Sequence, residues 1–280
     1  MKHILSIIAG VALMAACSKE LQHAVPAAGM DSDGNPAIEF LAAGDGLDAE
    51  VRTRAAAVTS LSSFGVIAEK TATSEQAWAV TSVTQSGADY KTGKYWPSTD
   101  QKFAFYASNA TMSYAATGVT VSPSTAATDV VVAYFPYAAS SYRTKNKLSF
   151  NHIFARIGAI TLNAPSGYTM TNTSVALSAP AGGTYNIKTS QWTSTGTAAA
   201  QSIVVGANDV YVVPGSYTLT VKYTLTKGEY TESFTKTATV TLAQGKINTI
   251  SANIPTGTAT ELQFIVEISE WGSNSITVTF

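Results

Sequence analysis

Few residues in this 280-residue sequence are of a type that could do chemistry, and their spacing limits what that chemistry could be. There are three histidines, His3, His23 and His152, and one cysteine, Cys17. No HExxH or CxxC occurs, so neither a two-histidine metal site on one helix face nor a thiolate pair is available. GxSxG is absent too, and with it the strained strand-to-helix turn that exposes a nucleophilic serine. Gly93-Lys94 and Gly245-Lys246 run on into Tyr95 and Ile247 rather than Ser or Thr, so neither is a phosphate-cradling loop. His152 sits in a Phe-rich stretch and reads as a structural residue bonded to a carbonyl. We therefore expect no catalytic residue, no metal ligand set and no cofactor, and a protein that is not an enzyme. Trp78, Trp96, Trp192 and Trp271 could stack on sugar rings, but their wide separation favours core or rim aromatics.

Two places remain where chemistry could be done to the chain rather than by it. Lys2, the apolar run Ile4 to Leu13 and the residues Met14-Ala15-Ala16 precede Cys17, and the run is too short to span a bilayer. Cys17 could be a buried cysteine of a signal peptide cut nearby, or it could be acylated and become the new N-terminus. Its position directly after the apolar run, with no cysteine in the following 263 residues, favours acylation. Several acyl chains would anchor the chain firmly, each buried methylene contributing about 0.8 kcal/mol. The second place is Val51-Arg52-Thr53-Arg54 followed by Ala55-Ala56-Ala57. Paired arginines beside small residues suit a protease that reads the guanidinium through a bidentate ion pair, or they are ordinary exposed loop residues.

The elements that must position these features are strands. Charged residues make up 12% of the chain, against about a quarter in an average soluble domain. That excludes coiled coils, charge-rich disorder and a nucleic-acid-binding stripe, and the net charge of -1 agrees. The 38 Thr and 29 Ser, with abundant Val and Tyr and punctuating Gly and Pro, point to an all-β protein. Charge also divides the chain. From Cys17 to Arg54 there are three basic and seven acidic residues, whereas from Ala55 onward there are 13 basic and 11 acidic.

Alternation at period two locates the strands. Within the acidic part, Ala37 to Leu41 puts Ile38 and Phe40 on one face. Further on, Phe64 to Ala68, Ala77 to Val83, Lys102 to Ser108, Asp129 to Phe135 and Lys147 to Phe154 read as strands. The run Leu148 to Ile160 is expected to carry the chain from one domain into the next. Asp209 to Val213, Tyr217 to Leu225, Tyr230 to Leu242 and Lys246 to Ile254 read as an antiparallel meander with one wet face. In the tail, Glu261 to Ile268 and Ile276 to Phe280 alternate again. They could be last strands paired at home, or strands added to another subunit's sheet. The expected organisation is a lipoprotein signal peptide over residues 1–16 and a lipidated leader with one strand over 17–54. A β-sandwich over 55–155 and a second one with a C-terminal extension over 156–280 complete it, the whole being two transthyretin-like or immunoglobulin-like sandwiches in tandem.

The combination resembles the fimbrillin-like proteins, the type V pilus subunits of Bacteroidales. The residues that carry the resemblance are the box ending at Cys17, the strand Ile38 to Leu41, Thr53-Arg54-Ala55 and Ser63-Phe64-Gly65-Val66. Tyr95-Trp96-Pro97 before Lys102-Phe103-Ala104-Phe105, Leu148 to Arg156, and Trp271-Gly272 add to it. The resemblance implies export as a lipoprotein to the outer membrane and cleavage by an arginine-specific protease at Arg54-Ala55, with Arg52-Thr53 as the alternative. It implies that the strand holding Ile38 and Phe40 is then displaced, and that a strand such as Ile276, Val278 and Phe280 is donated to a neighbouring subunit. The implied partners are other pilus subunits, the protease, the outer membrane before processing and a surface receptor on a host or bacterium, with no nucleic acid. The runner-up is a monomeric surface lipoprotein whose sandwiches bind a glycan.

Overall fold

A computed structural model of the chain describes residues 29–44, 61–87, 89–123, 128–139, 142–254, 263–270 and 275–276. The named elements among them are all strands, as the composition predicts. In the first part these are β1 (Ala37–Gly44), β2 (Ser63–Lys70), β3 (Glu75–Ser86), β4 (Asp89–Tyr95), β5 (Phe103–Ser108), β6 (Met112–Ala115), β7 (Gly118–Val121), β8 (Val131–Phe135) and β9 (Asn146–His152). Seven of them form one sheet in the order β1-β4-β3-β2-β5-β8-β9, and β9 pairs back onto β1, so the sheet closes. The alternation read from the sequence explains its interior. Phe103 and Phe105 of β5 face inward with Phe64, Val66, Leu148 and Phe150, and all are buried.

The other face of β5 is buried as well. Ala104 and Tyr106 pack with Val119, Val121, Ile153, Phe154, Tyr185 and Tyr211 in a separate core. This second core exists because β7 pairs with a strand from the second part of the chain, β12 (Gly183–Asn186), with Tyr185 opposite Val121 and Asn186 opposite Thr120. A strand covered on both faces needs apolar residues at consecutive positions, and the run from Phe103 to Ala107 supplies them.

The second part comprises β10 (Ala155–Asn163), β11 (Thr169–Ala179), β12 (Gly183–Asn186), β13 (Gln191–Thr195), β14 (Ala199–Ile203), β15 (Gly206–Val212), β16 (Gly215–Lys227), β17 (Tyr230–Leu242), β18 (Lys246–Asn253), β19 (Gln263–Glu270) and β20 (Ser275–Ile276). Sheet β15-β10-β18-β19-β20 and sheet β14-β11-β16-β17 share one core, with Ile157, Ile160 and Ile250 from the first and Leu177, Leu219 and Val221 from the second. Two sheets meeting over alternating inward residues make a sandwich. The expected meander is corrected here. Only β16 and β17 form a hairpin; β15 and β18 lie in the other sheet, where β18 runs parallel to β10. A meander would leave the apolar faces of Leu219, Val221 and Ile250 without a second layer, so the chain crosses between sheets instead. The passage from β9 to β10 is the pair Ile153 and Phe154, both fully buried rather than in an exposed linker.

Candidate functional site

The site that the sequence singles out is the strand ahead of the arginine pair. β1 is a strand because Ala37-Ile38-Glu39-Phe40-Leu41 alternates, and it extends to Gly44. Ile38 and Phe40 are 1% and 0% exposed, so the strand places two large side chains in the core of the closed sheet. Burying each is worth about 1.5–3 kcal/mol gross.

Both edges of β1 are hydrogen-bonded. On one side it runs antiparallel to β4, with Glu39 opposite Lys91 and Phe40 opposite Tyr90. On the other it runs parallel to β9, from Phe40 beside Asn146 to Gly44 beside Phe150. The β4 ladder shifts between Ala37 and Glu39, and Gly93, at φ +67°, takes the left-handed turn that the extra β4 residues require. A shifted ladder leaves carbonyls to be satisfied by other means. The Thr92 hydroxyl does so, donating to the Ile38 carbonyl at 2.7 Å while accepting the Lys94 N–H at 3.0 Å.

The segment leading into β1 is also held. Asp31 accepts hydrogen bonds from the main-chain N–H of Asp33 at 3.0 Å and of Asn35 at 2.7 Å, and from the Asn35 amide at 3.0 Å. The Asn35 hydrogen bonds, helped by the Arg143 charge, hold its carboxyl below the usual carboxylate range. Arg143, in the turn before β9, donates to Asn35 Oδ1 at 2.8 Å, and the main-chain N–H of Trp96 donates to the Pro36 carbonyl at 3.0 Å. On the outer face of β1, Glu39 lies 3.9 Å from the Lys91 ammonium and 3.7 Å from that of Lys145. Lys145 also donates to Asp89 at 2.6 Å, a hydrogen bond that raises its pKa above the usual lysine value.

Other sequence expectations resolve individually. Trp96 is fully buried, Trp78 packs against the same core, and Trp192 packs between Phe154 and Tyr185, so these three tryptophans do not form a sugar-stacking platform. His152 is buried, and its Nδ1 lies 2.8 Å from Asp129 Oδ2. Ile276 sits in β20 beside Ile268 of β19, which itself pairs along β18. Cys17, Arg54, Ala55, Val278 and Phe280 lie outside the described residues. Sequence reading did not find the lysines around Glu39, because Lys91 and Lys145 are remote from it in sequence and meet it only through strand pairing. Among the described residues no group of three or more His, Cys, Asp or Glu side chains could hold a metal ion.

The sequence matches the model of the fimbrillin-like family over residues 53–271. The chain belongs to the fimbrillin-like family. No curated protein matches this fimbrillin-like chain. Among solved structures, a candidate cell adhesion protein from Bacteroides ovatus ATCC 8483 aligns with a TM-score of 0.51 at 15% identity, covering 85% of this chain and 98% of that one. A fimbrial assembly protein from Parabacteroides distasonis ATCC 8503 aligns with a TM-score of 0.47 at 12% identity, covering 84% and 96%. At such identity the first likeness attests the shared fold. The family match begins at residue 53, so β1, which ends at Gly44, lies ahead of it in the sequence.

Proposed function

We propose that this fimbrillin-like protein is a structural subunit of a surface fimbria that contributes to adhesion and assembles by strand exchange after proteolysis. The observation that carries the reading is β1: it is hydrogen-bonded on both edges and buries Ile38 and Phe40, yet it precedes Arg54 and the family match. While the chain is continuous, β1 competes for its seat at the high effective concentration of a tethered segment. An arginine-specific protease cutting Arg54-Ala55, or Arg52-Thr53, removes that advantage. Loss of β1 opens the sheet between β4 and β9 and exposes two unpaired edges over an apolar groove, a state that favours capture of another strand. The strand comes from a neighbouring subunit, and this chain's own contribution to the next groove is Ile276, Val278 and Phe280. A head-to-tail contact of this kind does not close and so builds a fibre. Acylation of Cys17 holds the uncut precursor on the outer membrane, which keeps assembly at the cell surface, where the fibre meets its receptor. The family membership and the fimbrial or adhesive descriptions of the structural neighbours support the coarser part of this reading.

Mass spectrometry of the surface form tests it. An N-terminus at Ala55 in sheared fibres is the expected result. Fibres whose subunits still begin at an acylated Cys17 would overturn the proposal.

A further inference from the structure

Glu39 stands between two lysines supplied by the strands on either side of β1. Lys91 lies directly opposite it on β4, and Lys145 immediately precedes Asn146, the β9 partner of the next residue, Phe40. The ammonium groups are 3.9 and 3.7 Å from the two carboxylate oxygens. Asp89 answers Lys145 at 2.6 Å, whereas Glu39 is the carboxylate within ion-pair distance of Lys91 among the described residues. The next outward position on β1, Leu41, is beside Lys147 in register. Without β1 the seat therefore keeps Lys91, Lys145 and Asp89 and loses the carboxylate that the two lysines share, leaving its lysines in excess over its acid. Like charges facing each other across strands are unfavourable, and opposite charges are favourable.

We infer that the seat of β1 selects its occupant by charge, and that the strand it prefers carries an acidic residue between two apolar ones. This rests on the strand-exchange reading above. The apolar-acidic-apolar triplet fits whichever way the incoming strand runs, because the outward residue is central. In this chain Val266-Glu267-Ile268 has the pattern, but β19 is paired along β18 and Val266 packs into the sandwich core. The segment Ile276-Thr277-Val278 is apolar at the right spacing and carries no acid. The favoured occupant is thus an acidic strand from a different subunit, in preference to the Ile276 to Phe280 segment of a second copy. The lysines are partly exposed, at 60% for Lys91 and 39% for Lys145, so the effect is a discrimination among strands, with the apolar pockets supplying the bulk of the affinity.

The test uses the full chain carrying one engineered protease site in place of residues 53–55, cut and then incubated with labelled peptides. The probes are AIEFLAAG, AIQFLAAG, AIKFLAAG and SITVTF, with retained label measured after gel filtration. The glutamate peptide is expected to be retained about threefold to tenfold better than the glutamine peptide, with the lysine peptide weakest and SITVTF near glutamine. In the Lys91→Glu, Lys145→Glu variant the order inverts. At about 1 M salt, where the screening length falls to about 3 Å, the differences collapse. Equal retention of all four peptides, or an unchanged order in the variant, overturns charge selection and leaves strand exchange standing. Retention of none of them overturns strand exchange and this inference with it.

Discussion

Phe40 of β1 meets Phe105 of β5 edge to face, with ring centroids 5.0 Å apart and planes at 76°. The two residues belong to opposite sides of the arginine pair, so the contact ties the leader to the interior of the closed sheet. Replacing Phe40 by Ala removes the ring from a site with no solvent access and leaves a cavity beside Phe105. The full chain is expected to lose about 3–5 kcal/mol of unfolding free energy in urea. Leu41→Ala, on the outward face of the same strand, should change it by less than about 0.5 kcal/mol. Similar losses for both would mean that β1 does not seat by its inward face.

Asp129 and His152 are enclosed together, with side chains 0% and 2% exposed. Removing either one leaves a polar group facing a space that its partner filled. Asp129→Ala and His152→Ala are each expected to destabilise the chain by about 2–5 kcal/mol. The double variant should fall well short of the sum, because both substitutions remove the same contact between the two side chains. Chemical denaturation of the three variants checks this; strict additivity would show that the pair is not coupled.

Alkaline pH should unfold the protein through its buried tyrosines. Tyr106 and Tyr211 are both fully buried, and burial pushes their pKa above the ordinary 10.0, with the charge of Glu69 adding to the effect at Tyr106 and that of Asp129 at Tyr211. A pKa raised in the folded state gives a stability that is complete below the unfolded value and is lost as pH rises past it toward the folded value. Phenolate absorbance should therefore develop in two steps. Solvent-exposed phenols ionise first, and the buried Tyr106 and Tyr211 ionise only together with loss of the β-sheet circular dichroism signal. Ionisation of every tyrosine in one step with the dichroism intact would contradict the prediction.

Gly183 allows β12 and β13 to approach. A Cβ placed there would lie 2.3 Å from the Ser194 carbonyl oxygen and 2.9 Å from the Thr195 Cα, both of them backbone atoms that can move only if the hairpin separates. Gly183→Ala is expected to cost about 1–3 kcal/mol and to raise amide hydrogen exchange along β12, including Asn186, which pairs with Thr120 of β7. Exchange unchanged from the parent would show that the hairpin tolerates the side chain.

Several elements were legible because a strand with one buried face alternates. Tyr217 to Leu225 is the clearest case: Leu219, Val221, Tyr223 and Leu225 are buried, and Lys222 between them is exposed. The segments β4, β6, β7 and β11 to β14 were not picked out. Most of them are buried unevenly or at one end only, as in β11, where the first half is mostly exposed and the second carries Val175 and Leu177 inward, while the short β7 is buried nearly throughout and so does not alternate. Around β1, Ile38 and Phe40 were read from their spacing. Thr92, Lys91, Lys145 and Arg143 were invisible, since nothing local marks them as its neighbours.

By itself, then, the sequence determined that the chain is all-β and which side chains of β1, β5 and β16 turn inward. Those follow from composition and from the two-residue repeat of a strand, both of which are local. Tertiary structure alone decided that β1 lies between β4 and β9, that β18 runs parallel to β10, and that β7 and β12 join the two parts of the chain. The physical reason is that strands pair through backbone N–H and C=O groups common to nearly all residues. Partner and register emerge only when the inward faces pack against one another.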